Sequence, residues 1–200
     1  LIMTNVNNNV MIVESLATSP FTEVVNPKMT VPAGMMLVEG VLGVANVKNR
    51  NNRYYTLEEY KRHVDTFMER VNETNGVFGE MEHPKSMNIN LHNVSHKIMD
   101  VRIDENDNVL GQLLLLDTPT GKIAQSVVRS GSPLPVSSRA LGSVAKDGKT
   151  TLEHLSTWDL VGTSGFKQAN VRQISESIED EQSGMIVESM QIELNSDNSI

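Results

Sequence analysis

Two adjacent serines interrupt an apolar stretch of the chain and are the best candidates for a nucleophile. They are Ser137 and Ser138, followed by Arg139, in the sequence PVSSRALGS. The chain contains no cysteine, so covalent catalysis would use a hydroxyl, and a serine hydroxyl needs an adjacent imidazole to become nucleophilic. The histidines that could supply it are His63, His83, His92, His96 and His154. From these residues alone, two hypotheses stay open: a catalytic serine, or the commoner case of a serine pair with a structural role in a strand.

Histidines can also bind a metal ion, which is a second chemistry to consider. His83, His92 and His96 follow one another closely, with Glu80 and Glu82 just upstream. Histidines four residues apart converge on a helix, but this stretch predicts a loop that leads into a strand. A metal-dependent hydrolase is therefore kept as an alternative, while we expect neither a metal nor another cofactor.

Strands and two helices must position these side chains. Residues 56–72 predict a helix, because Thr56 can cap it and Glu59 completes a capping box. A second helix is predicted over residues 119–130, with a proline at its first position. Strands are predicted in MLVEGVLGV, VFGEM, VSHKIMDVRI, NVLGQLLLLD, PVSSRAL and TLEHLSTWDLV. Because the connections are too short for a parallel βαβ repeat, the predicted fold is α+β, with an antiparallel sheet or barrel and flanking helices.

The two ends of the chain have the composition of tails. Residues 1–33 are rich in Asn, Thr, Val and Pro, and residues 172–200 are rich in Ser, Glu, Asp and Gln. We therefore predict an N-terminal tail (1–33), a folded domain (34–171) and an acidic C-terminal tail (172–200).

The charge distribution excludes several classes of partner. Seven of the acidic residues fall within residues 173–200, which contain no Lys or Arg, so most of the net charge of −8 belongs to the C-terminal tail. The nearly neutral remainder has no basic stripe, which argues against nucleic-acid binding. No apolar run approaches the roughly 18 residues of a membrane span, and the first residues lack the features of a signal peptide. We expect a soluble protein that binds neither nucleic acid nor membrane.

Six short motifs occur in a fixed order along the chain. They are NRNNRYYT, GEMEHP, INLHNVSHKI, LLDTPTGKI, PVSSRALGSV and TWDLV. In this order and at these spacings they resemble the prohead core proteases of large tailed bacteriophages, which are capsid-maturation serine proteases related in fold to the herpesvirus assemblins. The resemblance covers about residues 36–170, and its most specific parts are the NRNxRxY, GExxHP and VSSR motifs. It implies a herpesvirus-protease-like fold and a protease domain at 34–171.

The resemblance also implies catalytic roles. His83 of GEMEHP matches the general base, and Ser137 matches the nucleophile, with Ser138 as the alternative because consecutive strand residues face opposite sides. Asp159 of TWDLV matches the third member of a triad; assemblins use a second histidine, which would favour His154. By analogy with assemblin arginines, Arg139 is expected to help hold the oxyanion. Which cation receives the substrate carboxylate stays open among Arg139, Lys97 and Arg102.

The sequence MIVES occurs near each end of the chain, at residues 11–15 and 185–189. Phage prohead proteases of this type cut after glutamate when the residue two before it is Leu or Ile, which Glu14, Glu188 and Glu176 satisfy. Similar Leu/Ile-x-Glu sequences in the predicted core would be inaccessible to a protease, so we expect cleavage only at the exposed copies in the tails. The resemblance therefore implies a zymogen that removes its own tails, while chance recurrence in biased segments stays the alternative.

Taken together, the resemblance implies a serine endopeptidase that cleaves scaffold, core and capsid precursor proteins after Leu/Ile-x-Glu. It would act on itself as well, as a homo-oligomer inside the phage prohead in the host cytoplasm. A non-catalytic scaffold or core component of the prohead is the alternative, and the presence of His83, Ser137 and Asp159 argues against it.

Overall fold

Ten strands and two α-helices make up the described part of the chain. The structure is a computed structural model that describes residues 10–16, 21–24, 29–49, 51–82, 86–162, 171–180 and 185–194, with the backbone alone for 13–16, 171–180 and 185–194. The strands are β1 (Val10–Leu16), β2 (Thr22–Glu23), β3 (Met36–Val44), β4 (Val77–Glu80), β5 (Val94–Ile103), β6 (Asn108–Leu115), β7 (Val136–Val144), β8 (Thr150–Leu160), β9 (Val171–Asp180) and β10 (Met185–Leu194). The helices are α1 (Leu57–Thr74) and α2 (Pro119–Arg129), with a short 3-10 helix at Leu91–Asn93.

The strands form two five-stranded sheets. One sheet has the order β8-β7-β1-β10-β9 and the other β2-β3-β6-β5-β4. The strand pairings are antiparallel apart from β1 with β10, which confirms the predicted α+β class with antiparallel sheets. A parallel bridge between Met81 and Leu160 joins the end of β4 to the end of β8, but the described residues do not form a closed barrel. The relation to the herpesvirus assemblins stays a prediction.

Both predicted helices form with the expected caps. The Thr56 side chain accepts a hydrogen bond from the backbone N–H of Glu59 at the start of α1, and Thr118 accepts from Gly121 at the start of α2. The buried side of α1 carries Tyr60, His63, Val64, Phe67 and Val71. Neither of these helices is long and apolar enough to cross a membrane.

Trp158 anchors β8 in the central core. Its ring meets Phe67 of α1 edge-on at 5.1 Å, and its Nε1 donates a hydrogen bond to the Leu42 carbonyl oxygen at 3.1 Å. Because neighbouring residues of a strand face opposite sides, burying Trp158 in this core turns Asp159 to the other face of the sheet. That face carries the candidate active site.

Strands also occur in the end segments that composition marked as tails. β1 and β2 precede residue 33, β9 begins at residue 171, and β10 follows it. The sequence pattern predicted no strands there, because β1 pairs with β7 from the opposite half of the chain and such long-range pairing leaves no local signal. The domain boundaries at 33 and 171 stay a prediction.

Candidate active site

The register of β7 and β8 decides which side chains meet. Ser137 pairs with Asp159, and Ser138 pairs with Trp158. Side chains alternate along a strand, so Ser137, Arg139 and Asp159 share one face. Ser138 is half-buried on the opposite face beside Trp158. The predicted nucleophile and the predicted third triad member are therefore cross-strand neighbours.

Arg139 is the centre of a buried hydrogen-bond cluster on this face. Its Nε donates to Asp159 Oδ2 at 3.0 Å, and its Nη2 donates to Asp159 Oδ1 at 2.6 Å and to Glu80 Oε1 at 3.1 Å. Its Nη1 donates to the carbonyl oxygens of Ser86 and Asn88, both at 3.1 Å. An arginine has five N–H groups, and these contacts use them all. An oxyanion contact from Arg139 would thus require one of these bonds to open.

Two buried carboxylates surround this guanidinium. Arg139 and Asp159 have no exposed side-chain surface, and Glu80 is almost completely buried. Burial alone would lower the pKa of Arg139, but its hydrogen bonds and ion pairs with Asp159 and Glu80 outweigh that effect and raise the pKa. The arginine is therefore permanently charged and fixed in place.

Glu80 links this cluster to the loop that follows β4. Its backbone N–H donates to Asp159 Oδ1 at 2.9 Å, and its Oε1 accepts from the backbone N–H of Asn90 at 2.8 Å. Sequence reasoning considered Glu80 only as a metal ligand and missed this role. The one available signal was a carboxylate at the end of the short strand VFGE. A carboxylate buried there needs a cationic partner.

Ser137 lies beside the cluster, and its side chain is buried. The residue has no exposed surface, and among the described residues its Oγ has no hydrogen-bond partner. A buried hydroxyl without a partner is destabilising, and such exceptions in native structures call for a specific explanation. A catalytic role that awaits a base and a substrate is one such explanation.

His83 lies outside the described residues, but the chain on both sides of it is fixed near Ser137. Before it, the backbone N–H of Glu82 donates to the Leu160 carbonyl oxygen at 2.8 Å, one residue beyond Asp159. After it, the Ser86 carbonyl oxygen accepts from Arg139. Described residues on both sides of His83 in the sequence thus contact the cluster or the residue next to it.

The other histidines do not join this site. His96 is fully buried, and its Nε2 donates to the Trp158 carbonyl oxygen at 3.0 Å, which leaves Nδ1 to accept from Ser95 Oγ at 2.9 Å. Burial is the main cause that lowers the pKa of His96 to about 4. The hydrogen bond to Trp158 raises this pKa, and the charge of Arg139 lowers it further. The exposed His92 lies in the 3-10 helix, apart from His96. Among the residues that the structure describes, no group of three His, Asp or Glu side chains is arranged to hold a metal ion.

His154, the alternative third triad member, lies farther along the sheet. It pairs with Leu141, four residues from Ser137 along β7, or about 13 Å at the usual rise per strand residue. Its Nε2 is 3.5 Å from Arg70 Nη1. Burial, then the charges of Arg70 and His63, lower the pKa of His154. The structure therefore places Asp159, and not His154, next to Ser137.

The remaining predicted residues lie in strands. The Lys97 ammonium is 5.7 Å from the Phe78 ring centre, and Arg102 forms exposed ion pairs with Glu39 and Asp100. The three predicted self-cleavage sites are in strands as well: Glu14 in β1, Glu176 in β9 and Glu188 in β10. In β1, Glu14 pairs with Ser138 and Ser15 pairs with Ser137.

Two comparisons with known proteins gave matches that span most of the described chain. The family profile described as prohead core protein serine protease matches residues 10–164, from the first residue of β1 to just beyond β8. The solved structure of the bacteriophage T4 capsid assembly protease, gp21, has a similar fold, with a TM-score of 0.65 and 24% sequence identity over 78% of this chain and 98% of that chain. No curated protein sequence matches this chain at a significant level. Because the profile spans more than half of the chain, the protein belongs to the prohead core protein serine protease family.

Proposed function

We propose that this chain is a serine endopeptidase of prohead maturation that cleaves after glutamate in Leu/Ile-x-Glu sequences. The observation that carries the proposal is the buried hydroxyl of Ser137, which has no partner among the described residues and lies beside the Arg139–Asp159 pair, with Ser86, close after His83 in the sequence, bonded to Arg139. Membership of the protease family supplies the reaction type.

In this proposal His83 is the general base and Ser137 the nucleophile. Ser137 Oγ attacks the carbonyl carbon of the P1 glutamate while His83 takes the hydroxyl proton, and His83 then gives that proton to the leaving amine. Asp159 orients the imidazole and stabilises its charged form. Three donors, two from Arg139 and one from the Glu80 backbone, occupy its carboxylate. Two carboxylate oxygens accept about four hydrogen bonds, so one position is left for a His83 N–H.

Arg139 acts in this proposal as a positioning residue. Its five N–H groups hold Asp159, Glu80 and the carbonyl oxygens of Ser86 and Asn88, so it fixes the acid and the residues that follow the base in the sequence. Backbone N–H groups near Arg139 then stabilise the oxyanion, as in other acyl-transfer enzymes. The cluster contains two carboxyl groups and one guanidinium, an arrangement that favours the imidazolium formed during the reaction.

The substrates that we propose are the scaffold, core and capsid precursor proteins of the phage, together with the chain itself. The similarity in fold to a capsid assembly protease supports capsid-related substrates and a location inside the prohead in the host cytoplasm. Self-processing after Glu14, Glu176 and Glu188, and action as a homo-oligomer, complete the proposal. Activity would then begin where many copies are confined together.

The test is intact mass after expression, combined with cleavage of a peptide that contains Ile-Val-Glu-Ser. We expect Ser137→Ala and His83→Ala to abolish cleavage after glutamate in both assays. Ser143→Ala, an exposed serine of the same strand, is the matched control and should cleave normally. If Ser138→Ala alone were inactive, the nucleophile would be Ser138, on the other face of β7.

A non-catalytic core component is the second candidate, and the complete burial of Ser137 is the observation that favours it. Under that hypothesis the wild type and all four variants stay at full length, and none of them cleaves the peptide. Cleavage that continues equally in all of them would identify a contaminating host protease instead.

A further inference from the structure

Strand β7 has no free edge next to the candidate nucleophile. One edge pairs with β8, and the other pairs with β1 through seven consecutive residue pairs, from Val10 with Gly142 to Leu16 with Val136, without a register shift. The Glu14–Ser15 peptide bond lies directly across from Ser138 and Ser137. A sequence predicted to be a cleavage site therefore lies beside the predicted nucleophile.

β1 is firmly anchored in this position. Met11 and Ile12 have no exposed surface, and Ile12 belongs to the central hydrophobic core. Complete burial of a side chain of this size stabilises by about 1.5–3 kcal/mol. Ser137 is also completely buried while β1 is in place. A peptide that binds as an added strand needs an unpaired edge, so the structure with β1 bound is a closed state of this site.

We propose that the edge of β7 is the peptide-binding position of this enzyme and that β1 occupies it as an intramolecular inhibitory strand. An extended peptide with the sequence of β1 then binds antiparallel to β7 only after β1 has left. This inference rests on the proposed protease function, because it assigns the regulation and the binding mode of that same site.

The second MIVES copy supports this choice of ligand. β10 lies next to β1 in the sheet and runs parallel to it, so both copies have the same direction relative to β7. Met11 of the first copy pairs with Val187 of the second, an offset of two residues. An even offset keeps every residue on the same face of the sheet, so the second copy is already oriented to fit the position of the first.

A disulfide that locks β1 onto β7 gives a direct test. Met11 and Leu141 face each other in the register, four residues along β7 from Ser137, and the chain has no cysteine of its own. Facing residues of antiparallel strands have Cα separations of about 4.5 or 5.5 Å, which a disulfide can span. The double variant Met11→Cys/Leu141→Cys therefore locks β1 when oxidised and releases it when reduced. Arg102→Cys/Leu110→Cys, which pairs β5 with β6, is the matched control.

A variant with weakened β1 completes the series. Ile12→Ala removes the core anchor of β1, and Ile98→Ala removes an equally buried isoleucine from β5 without touching the edge of β7. The probe is a fluorescein-labelled VMIVESL peptide, whose binding is followed by anisotropy and whose cleavage is followed by mass spectrometry. We expect Ile12→Ala to bind the peptide at least about tenfold more tightly than Ile98→Ala, because more molecules have an open edge. The oxidised lock should bind none, and reduction should restore the behaviour of the wild type.

The outcomes separate the inference from the proposed function. If the oxidised lock binds the peptide as well as the reduced form, or if no variant binds it, the inference is wrong. If Ile12→Ala binds the peptide and the lock does not, but nothing is cleaved, the inference stands and the proposed catalysis is wrong. Should Ile12→Ala fail to fold, peptide binding by the oxidised and reduced forms of Met11→Cys/Leu141→Cys, compared with the β5–β6 control, still tests the inference.

Discussion

Replacing Arg139 by methionine should destabilise the protein far more than replacing another ion-paired arginine. Arg139→Met keeps an unbranched stem but removes the guanidinium, so Asp159 and Glu80 stay buried without their cation and two loop carbonyls lose their donor. Removing one partner of a buried ion pair costs about 3–5 kcal/mol. For a chain of this size each kcal/mol corresponds to about 2–4 °C, so the melting temperature should fall by about 6–20 °C.

Arg102→Met is the matched control. Arg102 also bonds two carboxylates, Glu39 and Asp100, but its side chain is 44% exposed. Exposed ion pairs contribute about 0–1 kcal/mol, so this variant should melt within about 4 °C of the wild type. The assay is thermal unfolding by circular dichroism, with urea unfolding as an independent measure.

Two further variants test how Arg139 acts. Arg139→Lys keeps the charge but offers only one ammonium group, so it should recover part of the lost stability and part of the lost peptide cleavage together. The double variant Arg139→Met/Asp159→Asn should cost less than the sum of the single variants, since the two residues are directly bonded. An Arg139→Met protein as stable as Arg102→Met but without activity would refute this reasoning, because an oxyanion donor is expected to act on the rate alone.

Three more predictions concern buried groups of the same region. Ser137→Ala should raise the free energy of unfolding by about 1–2 kcal/mol, because it removes a buried hydroxyl that has no partner among the described residues. Ser143→Ala should leave the free energy of unfolding unchanged, and a loss of stability in Ser137→Ala would show that the hydroxyl has a partner elsewhere in the chain. The pKa of His96 is lowered from 6.5 to about 4 in the folded state, so its contribution to stability is fully present above pH 6.5. About 3 kcal/mol of the free energy of unfolding should be lost as the pH falls from 6.5 through 4. Urea unfolding across that range should show this loss, and His96→Gln should reduce it. Gly79→Ala should cost about 1–3 kcal/mol in the same assay, because its Cβ would collide with the His96 ring. Gly162→Ala should be neutral, because no described atom lies within 4 Å of its Cβ position.

The helices and the β5–β6 hairpin could be predicted because their signals are local. The cap at Thr56 and the apolar residues of the buried face of α1 lie within one short segment of the sequence, and the structure shows both. The two strands of the hairpin, at 94–103 and 108–115, are joined by the turn-rich sequence that the pattern indicated. These elements depend on residues that are close in the sequence, so one segment carries the information.

The arrangement of the site could not be derived in the same way. Both strands that carry Ser137 and Asp159 were predicted, but their register was not, and a slip of one residue would put Ser138 in place of Ser137. The β7–β8 pair also contains two register shifts, so counting residues from one pair along the two strands does not give the next partners. The five hydrogen bonds of Arg139 connect β4, β8 and a loop, and no local pattern indicates such a cluster.

The position of the two MIVES copies in one sheet leads to a prediction about the order of self-processing. β10 is separated from β7 by β1, so the second copy can pair with β7 only after the first has left. It would then move sideways by one strand spacing, about 4.8 Å, and along the strand by two residues, about 6.7 Å. That movement brings Glu188 to the position opposite Ser138 that Glu14 holds in the intact chain.

We therefore expect cleavage after Glu14 to precede cleavage after Glu188. In a time course of intact mass, loss of the first fourteen residues should appear before loss of the C-terminal segment. Glu14→Gln should block both cuts, because β1 stays in place, whereas Glu188→Gln should leave the first cut at its normal rate. If Glu14→Gln were cut after Glu188 as fast as the wild type, the second copy would reach the nucleophile by another route, and successive occupation of the β7 edge would be wrong. A difference between the two variants cannot come from recognition of the cut sequence, since both sites have the sequence MIVES; it must come from which copy lies next to β7.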